Sequence, residues 1–317
     1  MLDVVISQKN IEAQGIYSFE LRCPEGKYLP EFSAGAHIDV QLGSNLVRQY
    51  SLCNHPDERD RYLIAVLKEP NSRGGSVAMH NGLKAGDTLK ISAPRNLFSL
   101  TTQADRYILM AGGIGITPIL CMAEELQQKG ADFELHYCSR SPALAAFTDR
   151  IKASEFASRV QLHFDDGPAT QKLNATELLQ SPQAGTHLYI CGPGGFIEHV
   201  LGTARLNGWP EDQLHREYFA APATRSEQDR PFQVELASNG RIYEIPADKT
   251  VFEVLDSAGI DIPVSCEQGI CGSCITRILH GEPEHRDEFM TQSEHEKNDQ
   301  FTPCCSRAKS PRLVLDL

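Results

Sequence analysis

Cys266-Glu-Gln-Gly-Ile-Cys271-Gly-Ser-Cys274 is the stretch that orders the rest of the chain. Its cysteines stand in C-x4-C-x2-C spacing, and Cys304 follows with 29 residues between it and Cys274. Spacing of this kind holds a plant-type [2Fe–2S] cluster. Three thiolates from one loop reach two irons only where small residues let the backbone come close. Gly269, Gly272 and Ser273 give that room, and backbone N–H groups there can bond the sulfides. A structural zinc site favours closely spaced ligand pairs on both sides, whereas the distal half here offers the adjacent Cys304 and Cys305. Spacing selects Cys266, Cys271, Cys274 and Cys304 as ligands, with Cys305 the competitor for the fourth place.

Around this centre the composition sets limits. A chain of 317 residues exceeds one ordinary core and implies two or three domains. Ten cysteines do not reach the density of a disulfide scaffold. Cys23, Cys53, Cys121, Cys138 and Cys191 lie singly and read as small buried hydrophobes. A net charge of −12 excludes a typical nucleic-acid binder. The opening MLDVVISQKN lacks the basic and apolar regions of a signal peptide. The most apolar run, Tyr107–Ala123, is interrupted by Gly112, Gly113, Gly115 and Pro118, which argues against a membrane span. A cytoplasmic protein is expected. Residues 232–317 carry 15 acidic against 8 basic side chains, so most of the net charge falls on the cluster-bearing part.

Upstream, residues 1–100 read as β structure. Short alternating stretches (Val4–Ser7, Ser18–Arg22, His37–Gln41, Tyr62–Leu67, Thr88–Ser92) are separated by Gly or Pro, the pattern of a small barrel or sandwich. From residue 105 the pattern becomes strand–helix alternation, which implies a parallel sheet. Strands are expected at Tyr107–Ala111, Phe133–Cys138 and His187–Cys191, and helices at Ile119–Gln128 and Ala143–Ala153. The polar stretch Thr224–Pro231 reads as an interdomain linker.

Two glycine turns follow apolar strands. Gly112-Gly113-Ile-Gly115-Ile-Thr117-Pro118 opens a helix, and its glycines would let a diphosphate approach the backbone. The helix N-terminus and Thr117 would supply donors to the anion. Cys191-Gly192-Pro193-Gly194-Gly195 is the second turn. Neither fits an ATPase-type phosphate loop, and two such turns at one edge of an α/β sheet point to a bound nucleotide. In the β region, Arg48-Gln49-Tyr50-Ser51 and Arg73-Gly74-Gly75-Ser76 combine charge, a flat phenol and hydroxyls, which suit a planar phosphorylated ligand.

With these motifs in order, the chain resembles the phthalate dioxygenase reductase family throughout its length, within the ferredoxin–NADP⁺ reductase superfamily. Arg48–Asn54 (RQYSLCN), Ser92–Phe98 (SAPRNLF), Leu135–Arg140 (LHYCSR) and Phe301–Arg307 (FTPCCSR) bring the resemblance closer to reductase subunits of aromatic O-demethylases. The resemblance implies a multidomain chain: an antiparallel β-barrel flavin domain (1–102), an α/β parallel-sheet nucleotide domain (103–225), a linker (226–231) and an α+β β-grasp [2Fe–2S] ferredoxin domain (232–317). It implies FMN held by Arg48, Tyr50 and Ser51, its phosphate capped by Gly74, Gly75 and Ser76, and Phe219 near the flavin face. It implies NADH as cosubstrate and a Rieske-type oxygenase as electron acceptor. Ser139-Arg140 departs from an acidic ribose anchor and keeps NADPH open. The competing functions are the same reductase serving a phthalate, phenoxybenzoate or carnitine oxygenase, and a cluster-bearing redox sensor that does not turn over.

Overall fold

Alternation decides the first sheet. The structure, a computed structural model, describes residues 1–43, 46–70, 72, 74–219, 226 and 228–317. In β1 (Leu2–Ala13) Val4 and Ile6 turn inward, and in β2 (Ile16–Arg22) Phe19 and Leu21 do so, the period of two that a one-sided strand imposes. β3 (Ala36–Gln41), β4 (Val47–Ser51), β5 (Tyr62–Leu67), β6 (Thr88–Ile91) and β7 (Arg95–Asn96) complete the sheet. Its order is β4-β3-β6-β1-β2-β5, with β7 on β3, and its pairings are antiparallel. A bridge between Leu52 and Ile64 brings the two ends of the sheet together. That closure makes a barrel and removes free edges. All five alternating stretches read from the sequence fall on these strands.

The second sheet is parallel throughout: β8 (Arg106–Gly112), β9 (Asp132–Ser139), β10 (Val160–Phe164), β11 (Thr186–Gly192) and β12 (Leu214–Tyr218), in the order β10-β9-β8-β11-β12. Helices Ile116–Gln128 and Gly194–Leu206 follow β8 and β11. The helix expected over Ala143–Ala153 is shorter. Pro142–Leu144 forms a single 3-10 turn, Phe147 takes a left-handed φ of 60°, and the α-helix runs only from Thr148 to Ala153. Ala145, Ala146 and Phe147 are buried in the core, and that tertiary burial overrides local helix propensity.

Residues 1–219 form one compact unit and 220–317 another. Within the first, one core fills the barrel (Val4, Phe19, Ile38) and a second runs from the barrel (Ile16, Cys53, Phe98) into the helix Ile116–Gln128 (Ile119, Cys121, Met122). The Ala34 N–H donates to Glu125 Oε2 at 2.9 Å and Cys121 Sγ donates to the Asn54 carbonyl at 3.1 Å. Barrel and parallel sheet are thus fixed to each other.

The second unit contains β13 (Phe232–Leu236), β14 (Ile242–Ile245), β15 (Thr276–His280), β16 (Pro283–Glu284), β17 (Gln300–Phe301), β18 (Arg307–Ala308) and β19 (Arg312–Leu315). Its main sheet has the order β14-β13-β19-β15-β17, with β13 and β19 parallel. The helix Val251–Ser257, opened by a Thr250/Glu253 capping box, packs Val251 and Leu255 into the core beneath. This is the β-grasp arrangement. In the segment read as a linker, the half-buried Asp229 is held by Arg286 at 2.6 Å, and Arg307 donates to the Arg230 carbonyl at 3.0 Å. Among the described residues no helix is long and apolar enough to cross a membrane.

Candidate functional site

Cluster loop. Cys266, Cys271, Cys274 and Cys304 are all buried. Cys274 Sγ lies 3.3 Å from Cys304 Sγ, and the Cys271 and Cys304 thiols stand beside Cys266, pushing its acidity up and its pKa down. The Gln268 N–H donates to Cys266 Sγ at 3.3 Å, and Ser273 hydrogen-bonds Cys271. Gly269 and Gly272 take left-handed φ values of 75° and 68°. A Cβ on Gly272 would collide with the Phe289 ring, and one on Gly269 with Cys305 Sγ. The loop therefore closes only with glycine at both points. Four converging reduced thiols supplied with N–H donors fit a [2Fe–2S] cluster. Cys305 Sγ lies beside the Cys304 thiol and under Gly269, and Thr302 Oγ1 holds it at 3.1 Å.

Carboxyl edge of the parallel sheet. The chain leaves β8 toward β9 and β10 on one side, then returns to build β11 and β12 on the other. The turns after β8 and β11 therefore flank the topological switch point, where open α/β sheets bind ligands. They interlock. A Cβ on Gly192 would lie 2.9 Å from Gly112 Cα, and one on Gly112 would strike the Phe196 ring at 2.8 Å. One on Gly115 would overlap the Cys191 carbonyl. By contrast a Cβ on Gly113, Gly194 or Gly195 would meet nothing within 4 Å, so the space in front of both helix N-termini is open. Such a cradle fits a dinucleotide diphosphate. Thr117 and Pro118 are buried, and the Thr117 hydroxyl donates to the Ile114 carbonyl at 3.1 Å. Pro193 caps the second helix in extended conformation. At the end of β9, Ser139 Oγ donates to the Ser141 carbonyl at 3.1 Å, while Arg140 is exposed.

Barrel wall. Arg48 and Tyr50 share one face of β4, Gln49 and Ser51 the other, as strand alternation requires. The Arg48 side chain lies across Gly75, where a Cβ would stand 2.5 Å from its Cγ, and Gly74 takes a φ of 91°. This brings a guanidinium to the Gly74-Gly75-Ser76 turn. Ser76 Oγ donates to Ser72 Oγ at 2.9 Å and accepts from the Glu69 N–H at 3.1 Å. Gln49 Nε2 donates to Asp39 Oδ1 at 3.0 Å. Arg73 lies outside the described residues. Burial raises the Tyr50 phenol's pKa, and Arg48 pulls it the other way. Phe219 packs half-buried at the end of β12.

A contact absent from the sequence reading joins wall and edge. Ser51 Oγ on β4 donates to Glu217 Oε2 at 3.3 Å, and Glu217 sits beside Cys191 in the β11–β12 register. Burial holds the Glu217 carboxyl up at about 8, with the Ser51 hydrogen bond opposing. The native state thus keeps a proton that the unfolded chain releases near pH 4.5. Stability falls as pH climbs from about 4.5 to about 8 and is level beyond. Glu217→Gln is expected to gain Tm over the parent chain between pH 6 and pH 9; a gap independent of pH would place an ionised carboxylate there.

Residues 234–309 match the 2Fe-2S iron-sulfur cluster binding domain family, and 89–214 match the N-terminal domain of the dimethylamine monooxygenase subunit DmmA-like family. A vanillate O-demethylase oxidoreductase of Pseudomonas sp. (strain HR199 / DSM 7063) is 57% identical over 317 residues, covering 100% of both chains. The phthalate dioxygenase reductase of Burkholderia cepacia is 41% identical over 317 residues, spanning 100% of this chain and 97% of its own. A solved phthalate dioxygenase reductase, described as a modular structure for electron transfer from pyridine nucleotides to [2Fe–2S], superposes with a TM-score of 0.79 at 41% identity, over 100% of this chain and 98% of that one.

Proposed function

The chain belongs to the phthalate dioxygenase reductase family, and from that premise we propose that it carries electrons from NADH, by way of FMN and a [2Fe–2S] cluster, to a Rieske-type oxygenase or O-demethylase of aromatic acids. A bound flavin accepts a two-electron hydride and gives up single electrons, the only size of step a [2Fe–2S] cluster takes. The observation that carries this reading is the Ser51–Glu217 contact, because it sets the barrel's ligand wall against the nucleotide edge. Tyr50 and Ser51 would hold a flavin on that wall, and the two glycine turns would hold the nicotinamide nucleotide at the adjoining edge.

In this reading Arg48 neutralises the flavin phosphate at the Gly74–Ser76 turn. Tyr50 and Ser51 orient the ring, and Phe219 covers it against water. Gly112, Gly113, Gly115 and Gly192 admit the dinucleotide diphosphate. Glu217 retains a proton at its carboxyl beside Ser51. No general base is required, since the chemistry is hydride and electron transfer. The domains are residues 1–102, 103–225 and 232–317 joined by 226–231, working in the cytoplasm, where NADH is supplied and the cysteines form no disulfides. The test is coupled turnover: NADH oxidation should drive aromatic demethylation or dihydroxylation with a Rieske oxygenase added. Flavin reduction without transfer to any such oxygenase would defeat the proposal.

A second reading of the nucleotide is favoured by one observation, the exposed Arg140 at the end of β9. A guanidinium there matches a 2′-phosphate bidentately and would favour NADPH. We expect NADH to show the higher kcat/KM. Arg140→Ala should cut NADPH use by about 10- to 150-fold, the worth of a charge-assisted pair, with NADH use little changed. A parent chain that prefers NADPH contradicts the assignment.

A further inference from the structure

Behind the cluster loop, the second unit gathers three side chains that hydride and electron transfer do not use. Asp287 is buried beneath His285 and His295. His295 Nε2 lies 3.2 Å from both Asp287 oxygens, and His285 Nδ1 is 3.9 Å from Oδ1. The two imidazoles stack at 4.3 Å, 15° from parallel. One ligand atom from each of the three lies within 4.8 Å of the others.

The hydrogen bonds around this trio leave a gap for a cation. Asn298 Nδ2 donates to the Glu296 carbonyl at 3.5 Å, which directs Asn298 Oδ1 to His285 Nε2 at 3.3 Å. An amide oxygen accepts, so Nε2 carries the hydrogen and Nδ1 presents its lone pair. That Nδ1 is buried without a hydrogen-bond partner, on a side chain 10% exposed, and it faces a carboxylate oxygen. Two lone pairs aimed at one point are satisfied by a positive centre between them. The carboxylate is already oriented, with Oδ2 accepting from the Met290 N–H at 2.8 Å and Oδ1 from Thr302 Oγ1 at 3.4 Å. A metal-bound histidine typically donates its other N–H to an oxygen acceptor, as His285 does to Asn298.

We propose that His285, Asp287 and His295 bind one divalent first-row transition ion, with zinc as its representative. Two imidazoles and a carboxylate suit zinc and its neighbours in the series. They offer too few oxygens for calcium or magnesium. Metal–ligand bonds of about 2.0–2.2 Å require the trio to close and the two stacked rings to tilt, so that both in-plane lone pairs meet the ion. His295 is 27% exposed, which gives an entry path and room for water as a fourth ligand. The ion would join the loop at 285–287 to the helix Gln292–Lys297. That loop also braces the cluster loop, since the Glu288 N–H donates to the Gly269 carbonyl at 3.1 Å. The site is thus a clip behind the cluster, separate from its four thiols.

The experiment is calorimetric titration of chelator-washed holoprotein with zinc chloride, with cluster absorbance followed alongside. The proposal expects one zinc per chain with the cluster spectrum unchanged. It expects affinity to fall by more than roughly tenfold in both His295→Ala and His285→Ala. Because His285 is buried and its variant is at risk of misfolding, X-ray absorption of the zinc-loaded parent chain gives a second reading, nitrogen and oxygen neighbours with no sulfur. Absence of uptake, uptake of equal affinity in the His295→Ala variant, bleaching of the cluster on uptake, or sulfur at the zinc would each overturn it.

Discussion

Cys304→Ser is expected to abolish the visible spectrum of the cluster while flavin reduction by NADH continues. The separation follows from architecture: the cluster loop belongs to the unit of residues 220–317, and the residues proposed to hold flavin and nucleotide to the unit of 1–219. Cys304 Sγ lies 3.3 Å from Cys274 Sγ, so serine there removes one of four converging thiols. Losing a ligand should cost more than the roughly 10- to 100-fold that losing a ligand's hydrogen-bond partner costs in metal affinity. Electron delivery to cytochrome c should fall with it. Cys305→Ser should leave the spectrum in place, because its thiol is held by Thr302. Absorption spectra of the two purified variants decide the matter. The reverse pattern would move the fourth ligand to Cys305.

Arg48→Ala is expected to release FMN. Its guanidinium, laid over Gly75, is the charged group at the turn proposed to hold the flavin phosphate. A charge-assisted hydrogen bond contributes about 1.5–3 kcal/mol, so the dissociation constant should rise about 10- to 150-fold. Fluorescence of flavin released on dilution measures this directly. Unchanged retention would place the phosphate elsewhere, and FAD in the extract of the parent chain would replace FMN in the account.

What could be read in the sequence divides along physical lines. Strands with a period of two, and glycine turns behind apolar strands, are local signals, and the barrel strands and the edges at Gly112 and Gly192 were legible for that reason. The break at Phe147 was not. Ala143–Ala153 is rich in helix formers, and only the core that buries Ala145–Phe147 overrules them. The helix Gly194–Leu206 was also hidden, since it opens on Pro193 and two glycines, residues of poor helix propensity. Glu217 escaped because its partner Ser51 is 166 residues away in the chain. His285, Asp287 and His295 follow no spacing motif, and only the stacking of a loop on a short helix unites them. Cysteine spacing carried the most, because the loop geometry that needs Gly269 and Gly272 is written within nine consecutive residues.

The central claim is that a hydride entering at the carboxyl edge leaves as single electrons through the cluster. Anaerobic mixing of the holoprotein with NADH, followed by freeze-quenching and electron paramagnetic resonance, tests it most directly. The account predicts flavin bleaching first, then the signal of a one-electron-reduced [2Fe–2S] cluster, absent from Cys304→Ser. Flavin bleaching with the cluster left oxidised at every delay would contradict it.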